Sequence, residues 1–186
     1  MFTTAAVISL AVALLRGGKF QRLADAKVDK VWLLFAAFVI QFGPGWLERF
    51  GVVDVGPWGP AIHVLSYVPL TVMLLANLRL VGAPVIIAGM VLNVIPIAAN
   101  GGRMPVSGAA MARIGLAELI PTIAPGMSYD HVIIDSSTRF GFLGDIIPQP
   151  WPPNLANVFS IGDLVLGVGL FLIIQQLMGA GRYRTS

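Results

Sequence analysis

Two aspartates, Asp145 and Asp163, lie 18 residues apart near the carboxyl end of a very apolar sequence. Two carboxyl groups held close together do not both ionise readily, because burial and the like charge each raise a pKa. One group then keeps its proton while the other acts as a base, and such a pair can hydrolyse a peptide bond. The proline-rich segment PQPWPP between them restricts the backbone and favours a turn that brings the two aspartates together. The spacing therefore indicates a catalytic pair.

A purely structural role is open for the same residues. The sequence SIGD fits a capping box, with Ser160 as the N-cap and Asp163 at the third helical position. Asp145 follows a glycine and suits a turn. Catalysis and helix capping are therefore alternatives for Asp163.

The remaining ionisable residues offer little for a metal or a cofactor. The chain has no cysteine and only two histidines, which excludes thiolate chemistry and disfavours a His-rich metal site. We expect His63 to be a hydrogen-bonding partner between helices. His131 could hold a cation together with Asp130 and Asp135, although solvation of these loop residues is the simpler interpretation. We predict neither a metal nor a cofactor.

The elements that must position these residues are predicted to be membrane helices. The chain is 56% hydrophobic and 11% charged, whereas a soluble domain has about 25% charged residues. The pattern predicts an all-α integral membrane protein, a single domain over residues 1–186 with a bundle of five transmembrane helices. These apolar segments lie at about 1–15, 31–42, 61–78, 81–99 and 158–178.

The longest connection, at about 100–157, is predicted to be a structured loop before the last helix. Within it, VSGAAMARIGLAELI has the pattern of a short amphipathic helix, and HVIID that of a short strand.

The basic residues predict an orientation in the lipid bilayer. Eight of the twelve fall on one side of the predicted bundle: Arg16, Lys19, Arg22, Lys27, Lys30, Arg79, Arg182 and Arg184. Because loops rich in Lys and Arg stay in the cytoplasm, we expect a cytoplasmic C-terminus and, with five spans, an N-terminus outside. Both aspartates then face outward. Since the positive charge reports orientation, no nucleic-acid partner is predicted.

The segment FLGDIIPQPWPPNLANVFSIGD resembles the end of the lipoprotein signal peptidases (signal peptidase II). In that family two catalytic aspartates have a similar spacing, and the second opens the last helix. The resemblance implies that Asp145 and Asp163 are the catalytic pair of an aspartyl membrane endopeptidase.

The same resemblance implies supporting residues. The peptidases carry an Asn and an Arg at the end of the preceding helix, and ANGGR offers Asn100 and Arg103 at similar places. Arg139 is a further candidate to pair with a carboxylate. Ser160 stands where the peptidases have an Asn before the second aspartate, and about 40 residues separate Arg103 from Asp145 where the peptidases have only a few.

A second resemblance covers more motifs. The combination of NGGRMPVS, FLGDIIP and FSIGD more closely resembles an uncharacterised bacterial membrane family, a domain of unknown function. It implies the bacterial cytoplasmic membrane as the location and supplies no mechanism.

Two functions remain open on these observations. The chain is either a peptidase that cuts a membrane-anchored peptide or lipoprotein at the outer face, or a non-catalytic accessory subunit or binding protein that works with other membrane subunits. A small transporter is disfavoured, because the predicted spans lack paired acids and bases near their centres.

Overall fold

A computed structural model describes residues 2–123 and 130–180 of the chain, and most of them are helical. The five predicted helices are present, joined by short ones. The α-helices are α1 (Phe2–Leu15), α2 (Phe20–Ala24), α3 (Trp32–Arg49), α4 (Gly59–Ala76), α5 (Ala83–Ala99), α6 (Gly108–Arg113) and α7 (Ile161–Leu177). The 3-10 turns are Gly56–Trp58, Ala117–Ile123, Gly141–Leu143 and Pro153–Leu155.

Helix length does not support the prediction of five membrane spans. Among the described helices, only Gly59–Ala76 is both long enough and apolar enough, by length and composition, to cross a membrane. The four other apolar helices are shorter: Thr3–Leu15, Trp32–Glu48, Ala83–Ala99 and Ile161–Leu177. At 1.5 Å per residue a 17-residue helix measures about 25 Å, against a hydrocarbon core of about 30 Å. The structure therefore establishes a mostly helical protein with one helix of spanning length.

Two helix boundaries differ from the sequence prediction. The second long helix continues to Arg49 with Pro44 inside it, whereas the prediction ended it near residue 42, before a Gly-Pro-Gly sequence. The last helix begins at Ile161 rather than at residue 158, because Asn157–Phe159 forms a strand.

The long helices pack in a row, with α3 against α4, α4 against α5, α5 against α7 and α7 against α1. Glycines allow the backbones of α5 and α7 to approach closely: a side chain at Gly82 would collide with the carbonyl of Gly169, and one at Gly162 with Asn93. A buried cluster fills the space among α3, α4 and α5; its members are Leu33, Met73, Leu74, Leu80, Ala83 and Met90.

The predicted loop has its own small fold. Strand β1 (Met104–Val106) pairs in parallel with β2 (His131–Ile133), and β3 (Ile147–Gln149) pairs antiparallel with β4 (Asn157–Phe159). The predicted amphipathic helix is present as α6 followed by a 3-10 turn, and the predicted strand at HVIID is β2. Buried apolar residues hold these pieces together: Val106, Ala110, Met111 and Val158.

The bundle has an unusual distribution of polarity. Large apolar side chains point outward, and on α3 they form one face: Trp32, Phe35, Phe38, Val39, Phe42 and Trp46. Polar side chains are buried among the helices instead; they include Ser9, His63, Ser66, Asn77, Asn93, Ser160 and Gln175.

Candidate functional site

The β3–β4 hairpin brings the two aspartates to the same end of α7. Its register pairs Ile147 with Phe159, and Ile146 N donates to Phe159 O over 3.2 Å. Asp145 stands two residues before β3 and Asp163 four residues after β4, so both lie at the open end of the hairpin. The proline-rich connection closes its other end, as the sequence indicated.

Asp163 is held at the start of α7 by three hydrogen bonds. Its backbone N–H donates to Ser160 Oγ (2.9 Å), and Ser160 N donates to Asp163 Oδ2 (3.3 Å), which confirms the predicted capping box. Asn93 Nδ2 on α5 donates to Asp163 Oδ1 (2.9 Å), while Asn93 Oδ1 accepts from Ser160 Oγ (2.7 Å). Both carboxylate oxygens are therefore acceptors in a network that joins α5 to α7.

Asp145 lies beside the edge of β1 that β2 leaves open. Its N–H donates to Pro105 O (2.8 Å), and its carbonyl accepts from Ser107 N (2.9 Å). The side chain is buried, and its Oδ1 has no hydrogen-bond partner within the described part of the chain. Burial raises the pKa of Asp145, the neighbouring His131 lowers it, and the negative charge of Asp163 raises it; the net shift is upward.

His131 is flanked by carboxylates on both sides of its ring. Nδ1 lies 3.0 Å from Asp130 Oδ1, and Nε2 lies 3.6 Å from Asp145 Oδ2. Burial alone would lower the pKa of His131, but the two carboxylates outweigh burial and raise it to about 10. The site therefore contains an imidazolium between two acids.

Two residues of α4 complete the surroundings. The Tyr67 hydroxyl is within electrostatic range of both Asp145 and Asp163. His63 Nδ1 lies 3.1 Å from the carbonyl of Gly102, so His63 joins α4 to the start of the loop as a hydrogen-bonding partner between segments.

Of the predicted supporting residues, Ser160 bonds Asp163, whereas Asn100, Arg103 and Arg139 do not contact either aspartate in the described residues. Asn100 does not reach a carboxylate: its Nδ2 donates to Pro96 O and Arg139 O (both 2.7 Å), and its Oδ1 accepts from Arg139 N (3.0 Å). Within the described residues, neither Arg103 nor Arg139 forms an ion pair with Asp145 or Asp163. The cation beside Asp145 is His131 instead.

Asp135 does not join the proposed cation site with His131 and Asp130. It is exposed and bonds its own turn, accepting from Ser137 N (2.8 Å) and Ser137 Oγ (2.7 Å). In residues 2–123 and 130–180, no three side chains of the metal-binding types are grouped to hold a metal ion.

Sequence reasoning missed the link between His131 and Asp145. The pairing of β1 with β2 sets Met104 opposite His131, and a bridge on the other edge of β1 sets Val106 opposite Asp145. Residues in register project to the same face of a sheet, so the strand order creates the contact. The adjacent acid in the pair Asp130-His131 was the available signal, since a carboxylate that orients a histidine often lies nearby.

A model of a family of unknown function, DUF5317, matches residues 25–175. The chain belongs to that family. The match includes both aspartates, His131 and every helix from α3 to α5, together with most of α7.

The chain is also similar to a protein of Thermotoga maritima that is named "Uncharacterized protein". It is 26% identical over 121 residues, which is 65% of this chain and 67% of the relative. No solved structure matches the chain.

Proposed function

We propose that this chain is a multi-pass protein of the bacterial cytoplasmic membrane. The support is its surface: α3 exposes a continuous apolar face, and polar side chains such as Asn77, Asn93 and Gln175 are buried. A large exposed apolar surface marks a contact with lipid or protein, and the hydrocarbon core is the solvent that favours such a face. The 17-residue helices are at the lower limit of spanning length.

The charge distribution supports one orientation within that proposal. The side with eight of the twelve basic residues is cytoplasmic, and the hairpin, His131 and the two aspartates are outside. The start of α1 then lies outside and the end of α7 inside.

We further propose that the chain is a hydrolase whose catalytic groups are two aspartate carboxyl groups, namely an aspartyl endopeptidase. The observation that carries the proposal is that the hairpin brings Asp145 and Asp163 to one end of α7. The two environments differ: Asp145 is buried with a raised pKa, while Asp163 accepts hydrogen bonds at both oxygens. Pairs of acids with unlike environments divide acid and base roles.

The proposed reaction uses these roles in two steps. Asp163 takes a proton from a water molecule whose oxygen attacks the peptide carbonyl carbon, and protonated Asp145 donates its proton to the carbonyl oxygen. The tetrahedral intermediate returns that oxygen's proton to Asp145, Asp163 protonates the amide nitrogen, and the C–N bond breaks. The pair ends with the protons it began with.

The surroundings favour a substrate anchored in the membrane. An apolar groove of about 300 Å³ between α1 and α7 begins at Leu164, directly after Asp163, and continues past Gly167 and Phe171. A hydrocarbon chain or an apolar segment can lie in such a groove with its polar end at the aspartates. The resemblance of FLGDIIP and FSIGD to the lipoprotein signal peptidases points to the same substrate class.

The test is cleavage of a synthetic lipidated signal peptide, labelled with a fluorophore and a quencher, by the protein in proteoliposomes. Asp145→Asn and Asp163→Asn should each reduce turnover by roughly 10³-fold or more, as removal of an essential acid or base does. Glu118→Gln removes one negative charge from an exposed position of the same loop, and it should leave turnover unchanged. A wild-type protein inert on both lipidated and unmodified signal peptides would refute the proposal.

One observation favours the second candidate, a non-catalytic accessory subunit or binding protein. The hydrogen bonds of Asp163 within the capping box and with Asn93 already account for both of its oxygens. If capping is its whole role, Asp163→Asn should cost about 1 kcal/mol or less of stability, and the peptide assay should show no activity to lose.

A further inference from the structure

The cluster of Asp130, His131 and Asp145 is built by strand register, and it shares Asp145 with the aspartate pair. Met104 and Val106 are two residues apart on β1 and therefore face the same side. His131 is in register with Met104, and Asp145 with Val106, on opposite edges of the strand. The imidazole and the Asp145 carboxyl group thus project to one face, and the ring reaches across β1 to within 3.6 Å of Oδ2.

The two acids beside the His131 ring favour its doubly protonated form. A neutral imidazole donates from one nitrogen only, whereas a carboxylate beside each nitrogen calls for a donor on both. Asp130 lies 3.0 Å from Nδ1 and Asp145 lies 3.6 Å from Nε2. When Asp145 is ionised, the two carboxylates favour an imidazolium, and Asp130 fixes the orientation of the ring.

We propose that His131 is the positioning residue of the site: its imidazolium, anchored by Asp130, binds Oδ2 of Asp145 and leaves Oδ1 as the reacting oxygen. Oδ1 is buried and has no hydrogen-bond partner in the described residues, and such an atom is costly unless it carries a proton or meets a substrate group. The contact between the His131 ring and Oδ2 stands by geometry, whereas the role of Oδ1 rests on the function proposed above.

Several other charged groups act on this pair. The negative charges of Asp130 and Asp163 both raise the pKa of Asp145. His63 lies within electrostatic range of His131 and Asp130. Removing the imidazolium leaves burial and these negative charges, so the pKa of Asp145 should rise further. In His131→Gln, the alkaline limb of the cleavage rate, where Asp145 loses its proton, should therefore move to higher pH. A residue that only supports the fold would change the rate without moving that limb.

The direct test needs no substrate. The chain has two histidines, so ¹⁵N-histidine labelling in detergent micelles gives two imidazole rings, and His63→Gln and His131→Gln assign them. His131 should keep both nitrogens protonated at pH 8 and titrate near pH 10. Asp145→Asn and Asp130→Asn should each lower that midpoint by about one pH unit or more. Asp135→Asn, which removes an exposed charge four residues away, should not change it.

A His131 ring that titrates near its ordinary value of about 6.5, or a midpoint unchanged by Asp145→Asn, would overturn the proposal. The outcomes separate it from the peptidase proposal. A high midpoint sensitive to Asp145, together with no peptide cleavage, would retain the ion pair and reject the function. Cleavage that depends on Asp145, together with an ordinary His131 titration, would reject the ion pair alone.

Discussion

Both ends of the helical bundle carry buried polar side chains that join distant segments, and they differ in how these side chains are satisfied. We call the end with Asp145 and Asp163 the site end, and the end with Asn77 and Gln175 the far end. At the far end Asn77 accepts from Asp29 N (2.9 Å) and donates to Asp29 O (2.8 Å) and Met73 O (2.7 Å). Gln175 accepts from Arg16 Nη1 (3.3 Å) and donates to Ser9 O (2.8 Å).

The site end is less completely paired. Three buried side-chain polar atoms lack a hydrogen-bond partner in residues 2–123 and 130–180, and they belong to Thr4, Arg103 and Asp145. Arg103 adjoins β1, and Thr4 lies where α1 starts beside the first turns of α7, so all three are at the site end. Buried polar groups are normally bonded, and exceptions concentrate where a protein does chemistry. The buried side chains of the far end are therefore fully hydrogen-bonded, whereas the site end keeps buried polar atoms without a hydrogen-bond partner in the described residues.

The largest effect that this comparison predicts is at the far end. Asn77→Ala removes three hydrogen bonds and leaves one donor (Asp29 N) and two acceptors (Asp29 O and Met73 O) without this partner. At about 1 kcal/mol for each bond, the change should cost about 3 kcal/mol. Asp145→Asn, which keeps the size of a buried side chain at the site end, should cost about 1–1.5 kcal/mol, the equivalent of the one-unit fall expected in the His131 midpoint, since Oδ1 has no bond to lose. Denaturation in detergent measures both. Equal losses would contradict the comparison.

The smallest effect is expected from the ion pair at the far end. Arg79 Nη1 lies 2.6 Å from Asp29 Oδ2, but both side chains are about half exposed. Solvent screening limits such a pair to about 0.2–1 kcal/mol, so Arg79→Gln should change stability by no more than that. A loss as large as that of Asn77→Ala would show that charge, rather than buried hydrogen bonding, holds this end together.

Local patterns in the sequence predicted local features of this fold. Apolar runs located the five long helices, and the SIGD sequence identified the capping box of α7 because every contact in it spans three residues. The predicted helix ends were less accurate where the helix tolerates a proline. The prediction ended the second long helix before Pro44, but α3 continues past Pro44 to Arg49 although proline has no N–H to donate. The hydropathy that suggested five spans was correct about the apolar segments, but four of the helices are too short by the length criterion.

The candidate site was only partly predictable, because its geometry depends on long-range register. The hairpin that gathers Asp145 and Asp163 had a local signal in its prolines. The contact between His131 and Asp145 depends on two segments placed on opposite edges of β1, and no local pattern specifies such an order. Arg103 and Arg139 were reasonable partners by charge, yet the strand register gives that position to His131.

The central claim is that Asp145 and Asp163 act on each other at one site, and a carboxyl titration tests it most directly. In ¹³C-aspartate-labelled protein, the resonance of Asp145 is the one lost in Asp145→Asn, and its pH midpoint can be followed with and without Asp163→Asn. Because the charge of Asp163 raises the pKa of Asp145, the midpoint of Asp145 should fall when that charge is removed, while Glu118→Gln should leave it in place. An Asp145 midpoint that is the same in wild type and Asp163→Asn would contradict the account.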